Sequence, residues 1–218
     1  MSHFALPLLA TLLFQAPPHQ ILSLGDSYTI GESVSEKERW PNQLRELLEF
    51  EGIRCAAPEI IAKTGWTTDE LLAALQPRTA KDSYDIVTLL IGVNNQYRGR
   101  DVEAYRQELR KLIDFAIEKA SGNSERVILL SIPDWGVTPF AKDRDQAKIA
   151  VEIDTYNRVK KEEAERAKVH FIDITDITRD VEGPKQNLLA EDGLHPSGLM
   201  YRQWAQETLP IAKKILRQ

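Results

Sequence analysis

The chain has 218 residues, 42% of them hydrophobic and 28% charged, which is enough to close one core in one domain. Asp and Glu outnumber Lys and Arg by 33 to 28, the formal net charge is -5 and no basic stripe interrupts the pattern, so the long-range attraction that nucleic-acid binding requires is missing. Cys55 is the only cysteine, which excludes an internal disulfide, a zinc knuckle and a dithiol redox pair.

Residues 4–14 form an apolar run ahead of Gln15, Ala16, Pro17 and Pro18. The run has the character of a signal-sequence core, yet no Lys or Arg precedes it, Phe14 stands where a small residue is wanted before a cut after Ala16, and Pro17 would follow that cut. It is also far shorter than the roughly 20 residues a membrane-spanning helix needs. The segment 1–18 reads equally as a leader-like piece or as an appendage on the domain, which leaves cytoplasmic and exported locations both open. Residues 19–218 read as a single domain.

Beyond that segment, short apolar runs alternate with longer amphipathic ones, the pattern of a parallel sheet with crossover helices. Strands are predicted over 21–24, 59–62, 86–91, 127–132 and 169–172, each of strand length and rich in Ile, Leu or Val. A first helix starts near Pro41, carries Leu44, Leu47 and Leu48, and stops at Gly52. A second has Thr67 and Glu70 at capping-box spacing and ends by Pro77. A third follows Asp101 as N-cap, with Val102, Tyr105, Leu109, Leu112, Ile113 and Ala116 as a continuous stripe. A fourth centres on Ile149, Ile153 and Tyr156. The last follows Pro196 with Met200, Trp204, Ile211 and Ile215, and a disturbance is expected near Pro210.

Open parallel sheets collect reactive groups at the carboxyl ends of their strands, and every predicted strand here is followed by chemistry-bearing residues. Ser27 follows the first, Gly65 and Trp66 the second, Gly92-Val93-Asn94-Asn95 the third and Asp134-Trp135 the fourth, while the turn from Asp192 to His195 lies beyond the fifth. Serine, histidine and a carboxylate are the three groups that turn a hydroxyl into a nucleophile. Asp192, three residues before His195 on a turn halted by Pro196, can reach Nδ1 of the imidazole and leave Nε2 to face a serine. Gly65, through its backbone N–H, and Asn94, through its side-chain amide, are candidate oxyanion donors, with a turn glycine and an Asx turn as the competing structural readings.

Asp26 reads as a brace for the serine loop. Asp173 and Asp176 compete with Asp192 for the histidine, but helix capping explains them better. Trp66, Asn95, Gln96, Tyr97, Arg98 and Trp135 flank the site and are candidates to line an acyl pocket or bind a polar head group. His3, His19 and His170 have no acid or cysteine at ligand spacing, so no metal site is expected.

Together, Gly25-Asp26-Ser27-Tyr28, Gly65, Gly92-Val93-Asn94 and Asp192-Gly193-Leu194-His195 resemble, in order and separation, the motifs of the SGNH hydrolases, also called the GDSL esterase/lipase family. The resemblance runs from about Gln20 to the C-terminus. It implies a flavodoxin-like three-layer α/β/α sandwich on a five-stranded parallel sheet, and a serine esterase that hydrolyses carboxylic esters, small acyl esters or lysophospholipids, through an acyl-enzyme without a cofactor. Carried over by position, Ser27 is the nucleophile, its N–H joins Gly65 and Asn94 in the oxyanion hole, His195 is the general base and Asp192 orients it. The family often has Asp after the third-block asparagine, where this chain has Asn95. A carbohydrate O-acetyl esterase or a thioesterase would use the same machinery. A non-catalytic glycan- or lipid-binding module is the reading outside enzymology, and the intact set Ser27, Asp192 and His195 argues against it. The expected partner is a small-molecule ester, with no nucleic acid and no integral membrane segment, and the oligomeric state is open.

Overall fold

Every residue of the segments Ile21–Gly25, Ile86–Leu90 and Val127–Leu130 is buried, so side chains pointing to either face of these strands meet apolar cover. That is the mark of interior strands in a parallel sheet with helices on both sides. The computed structural model describes residues 16–75, 81, 83–180 and 188–218. In it β1 (Ile21–Gly25), β2 (Glu59–Ala62), β3 (Ile86–Leu90), β4 (Val127–Leu130) and β5 (His170–Ile172) form one all-parallel sheet in the order β2-β1-β3-β4-β5. Ser23 on β1 lies opposite Ile60 on one side and Thr88 on the other, and Leu129 on β4 lies between Leu89 and Phe171.

Three strands are shorter than their apolar runs. After β4 the Ile132 N–H is taken by the side-chain oxygen of Asn157 at 2.7 Å, which ends the ladder before the hydrophobic run does. Before β5 the Val169 N–H bonds back to the carbonyl of Ala164 at 3.0 Å and closes the preceding helix instead of joining the sheet.

The long helices follow their stripes. α2 (Trp40–Phe50) has Pro41 in its first turn, buries Trp40, Leu44 and Leu48, and is followed by Gly52 at a φ of 77°. α3 (Thr68–Leu75) opens with Glu70 accepting the Thr67 N–H at 2.9 Å, while Pro77 lies outside the described residues. α5 (Val102–Lys119) is capped by Asp101, which accepts the Ala104 N–H at 2.8 Å, and buries Tyr105, Leu109, Leu112, Ile113 and Ala116. α6 (Gln146–Ala167) and α8 (Gly198–Leu216) complete the two outer layers, α2 packing on α8 and α5 on both α3 and α6.

The expected disturbance of the last helix is corrected, because α8 runs through Pro210 unbroken. Pro210 is exposed, so water can satisfy the carbonyl that loses its donor one turn earlier.

Three short helices that no periodicity announces, α1 (Ser27–Ile30), α4 (Val93–Tyr97) and α7 (Thr175–Arg179), follow β1, β3 and β5 on the carboxyl edge of the sheet. Among the described residues no helix is long and apolar enough to cross a membrane. The apolar run 4–14 lies outside them.

Candidate functional site

The loop after β1 is built for close approach. A Cβ on Gly25 would stand 2.1 Å from Thr29 Oγ1 and 2.3 Å from the Leu90 carbonyl, so only glycine lets the chain turn here. Asp26 caps the turn, its carboxylate accepting the Tyr28 N–H at 3.0 Å. The expectation that Asp26 is a brace is therefore met. Burial pushes its carboxyl pKa up, against the Tyr28 N–H and the charge of Lys160. Lys160, on α6, is itself buried, its ammonium pKa pushed down by desolvation while Nζ donates to the Leu130 carbonyl at 2.8 Å. Ser27 begins α1 on this braced turn and is 4% exposed.

The histidine turn is equally constrained. Gly193 takes a left-handed φ of 65°, and the Ala190 N–H bonds to the His195 carbonyl at 2.8 Å. Asp192 Oδ1 accepts the N–H groups of Leu194 and His195, both at 2.9 Å, while Oδ2 takes His195 Nδ1 at 2.7 Å and the hydroxyl of Ser33 at 2.5 Å. Partial burial alone would raise the Asp192 pKa, but the bonds from Ser33, the imidazole and the two backbone N–H groups outweigh it and hold the carboxyl at about 2. Tyr28 packs its ring 5.0 Å from that of His195. With Nδ1 committed to Asp192, Nε2 is the nitrogen left for chemistry. The competing acids are engaged elsewhere: Asp173 accepts Ser131 Oγ and the Thr175 N–H, both at 2.9 Å, and Asp176 lies in the first turn of α7.

Across from the histidine, Gly65 sits at a φ of 84°, and a Cβ there would meet Arg98 Nη2 at 3.6 Å, an ordinary contact, so its conformation, not crowding, calls for glycine. Arg98 Nη2 donates to the Gly65 carbonyl at 2.5 Å and Nη1 to Glu70 at 3.1 Å, which fixes this loop. The Asn94 amide donates to the Trp66 carbonyl at 3.0 Å and lies 3.5 Å from Asp26 Oδ2. Ser27, Gly65, Asn94 and His195 all line one cavity of about 180 Å³. Its remaining wall is mostly apolar: Val93, Leu194 and the rings of Tyr97, Trp135 and Phe140, the last three packed with centroids 5.2 to 6.4 Å apart.

Of the flanking residues singled out in the sequence, Tyr97 and Trp135 line this cavity, and the other four are placed outside it. Trp66 packs against the core, and Arg98 holds the Gly65 loop. Asn95 is buried under α3, accepting the Thr68 N–H at 3.0 Å and donating to Thr68 Oγ1 at 2.6 Å. An aspartate there would lack that second donation. Gln96 bridges Trp135 Nε1 at 2.7 Å and Glu152 at 2.8 Å. Sequence reasoning did not select Tyr28, Thr64, Val93, Phe140 or Leu194 for the lining. Tyr28 and Leu194 adjoin predicted catalytic residues, which was the available signal. Phe140 lies in the single 3-10 turn Pro139–Ala141, too short to show a period, and carried none. Among the described residues no group of three or more His, Cys, Asp or Glu is placed to hold a metal ion.

A buried serine on a capped turn and an imidazole oriented by a carboxylate, facing one small cavity with a glycine turn and an anchored amide, are the parts of acyl-transfer chemistry. Comparison with known proteins agrees. The chain is similar in fold to the crystal structure of TesA (TM-score 0.69, 22% identity, 90% of this chain and 99% of that one covered). The same holds for a lipase/acylhydrolase from Enterococcus faecalis (0.70, 24%, 91% and 96%) and the acetylxylan esterase Axe2 from Geobacillus stearothermophilus (0.67, 20%, 89% and 94%). A search of curated proteins returned no match. The model of the GDSL-like lipase/acylhydrolase family matches residues 23–203, most of the chain. The chain belongs to that family and is a serine carboxylic ester hydrolase.

Proposed function

We propose that Ser27 is the nucleophile, His195 the general base and Asp192 its orienting partner, acting on esters with a short, apolar acyl group. The observation that carries this reading is that Ser27 and His195 line one cavity with Gly65 and Asn94 while Asp192 holds Nδ1 of His195 at 2.7 Å. His195 Nε2 takes the Ser27 proton as Oγ attacks the ester carbonyl, then passes it to the departing alcohol oxygen, leaving the acyl group on Oγ. Water then enters, gives its proton to Nε2, and the acid departs as Ser27 recovers its hydrogen. The backbone N–H groups of Ser27 and Gly65 and the Asn94 amide stabilise the oxyanion in both halves.

The cavity, about 180 Å³, is below the roughly 300–1,000 Å³ of pockets for drug-sized ligands, which favours a short acyl group over a long lysophospholipid chain. Among the described residues that line it there is no Asp, Glu, Lys or Arg. A second reading, a carbohydrate O-acetyl esterase, draws on Tyr97 and Phe140, both 46% exposed at the mouth, whose rings fit the apolar face of a sugar. The test is a panel of p-nitrophenyl esters of increasing chain length, run beside lysophosphatidylcholine and acetylated sugars. Highest kcat/KM on short simple esters, lost in Ser27→Ala by on the order of a thousandfold or more, is expected. Preference for the lysophospholipid would contradict the short-acyl assignment, and preference for acetylated sugar would select the second reading.

A further inference from the structure

We propose that Ser33 is a positioning residue of the hydrolytic site, tying the histidine turn to the serine loop through Asp192. The inference rests on the assignment of Ser27, His195 and Asp192 given above. Ser33 lies 159 residues from Asp192 in sequence, yet its hydroxyl donates to Oδ2 at 2.5 Å, the same oxygen that accepts from His195 Nδ1 at 2.7 Å. The chain between Ser27 and Ser33 is short and tethered. The Ser27 carbonyl accepts the N–H groups of both Gly31 and Glu32 at 3.0 Å, so Ser33 follows directly on bonds made to the serine's own peptide. Ser33 holds a φ of 63°, a left-handed conformation that non-glycine residues adopt rarely and at a cost. A serine kept there, where glycine would be less strained, is accounted for by what its hydroxyl reaches.

The geometry gives this bond two effects. It fixes the separation of the two loops that carry nucleophile and base, which no contact within the 192–195 turn can do. It also shares the negative charge of Oδ2 between two donors, so the imidazolium is stabilised less than it would be by an unshared carboxylate. The titratable groups facing His195 are Asp192 on its own turn and Tyr28 of α1 against its ring, with Asp26 and Asp134 acting on Tyr28 from beyond. Neither Asp26 nor Asp134 is engaged by Ser33 in any hydrogen bond of the site, so removing the hydroxyl acts on Asp192.

Ser33→Gly removes the hydroxyl and suits the left-handed backbone, which separates positioning from folding. Expected are an unchanged or raised Tm, KM within twofold, kcat lower by about tenfold as for loss of a hydrogen bond to a charged group, and an upward shift in the titration of the His195 ring. The pKa is read by NMR titration of the ring nitrogens, and also in a Ser27→Ala background, where turnover plays no part. A kcat within twofold of wild type, or a His195 pKa that does not move, overturns the proposal. If the pKa shifts as expected but the wild-type enzyme turns over no ester, the coupling through Ser33 stands and the hydrolase assignment of Ser27 is what fails.

Discussion

At the scale of single residues, the site divides into groups that react and groups that hold them. Asn94 should belong to the first kind. Asn94→Ala is expected to lower kcat by roughly 10² to 10³ with little change in KM, because an oxyanion donor acts on the transition state. Steady-state kinetics on one short ester checks this, and an effect confined to KM would make Asn94 a substrate-binding group. Asp192 is the clearest orienting group. Asp192→Asn should lower kcat by up to about 10⁴, while Asp173→Asn, whose Oδ1 can still accept Ser131 Oγ and the Thr175 N–H, leaves turnover near wild type. The carboxyl also marks stability. Its pKa is lowered from 3.8 to about 2 on folding, so its contribution is complete above the unfolded value and is lost as pH falls from about 4 to 2. Urea melts over that range should be flatter in Asp192→Asn. The contact between Asp192 and His195 was legible in sequence because the two share a turn, so spacing alone implied it. Ser33 was not, since its contact with Asp192 exists only once β1 and the segment before α8 are brought together. Gln96 and Asn95 misled for the opposite reason: they adjoin Asn94 in sequence, but a single helical turn of α4 carries their side chains under α3 and toward α6.

At the scale of elements, α5 and α6 are clamped by one buried carboxylate. Glu163 accepts from Arg106 and Arg110 at 2.8 Å and from Arg166 at 2.6 Å, and its side chain is 2% exposed. The bonds from Arg110, Arg106 and Arg166 outweigh the opposing effect of burial and hold its carboxyl at about 2. Glu163→Gln should destabilise the fold by about 1–3 kcal/mol at pH 7 without altering kcat, as for hydrogen bonds made by a charged group. The sign of the pH effect follows from the lowered pKa. The stabilisation is complete above the ordinary Glu range near 4.5 and lost as pH falls toward 2, so denaturation curves of variant and wild type should converge there. The long helices were readable because α5 and α8 repeat their buried residues through several turns. The helices α1, α4 and α7 are too short to show a period, and they form because Asp26, Gly92 and the ends of their strands set the backbone, a tertiary cause that a linear pattern does not carry. Strand ends were misplaced for a related reason, since Ile132 is as apolar as its neighbours but donates to Asn157.

At the scale of the whole molecule, the order β2-β1-β3-β4-β5 puts the switch in winding direction between β1 and β3, and such a switch opens a crevice at the carboxyl edge. Ser27 follows β1 and Asn94 follows β3, so topology delivers the proposed nucleophile and the proposed oxyanion donor to the two sides of one crevice. The alternation of strand and helix made that architecture predictable, while the cavity wall, contributed partly by the 3-10 turn Pro139–Ala141 that carries Phe140, was not. The most direct test of the central claim is covalent labelling with a fluorophosphonate, read by intact mass and peptide mapping. A single adduct on Ser27, absent in Ser27→Ala and much slower in His195→Ala, is the predicted result. Undiminished labelling of Ser27→Ala, or an adduct mapped to another residue, would contradict the account.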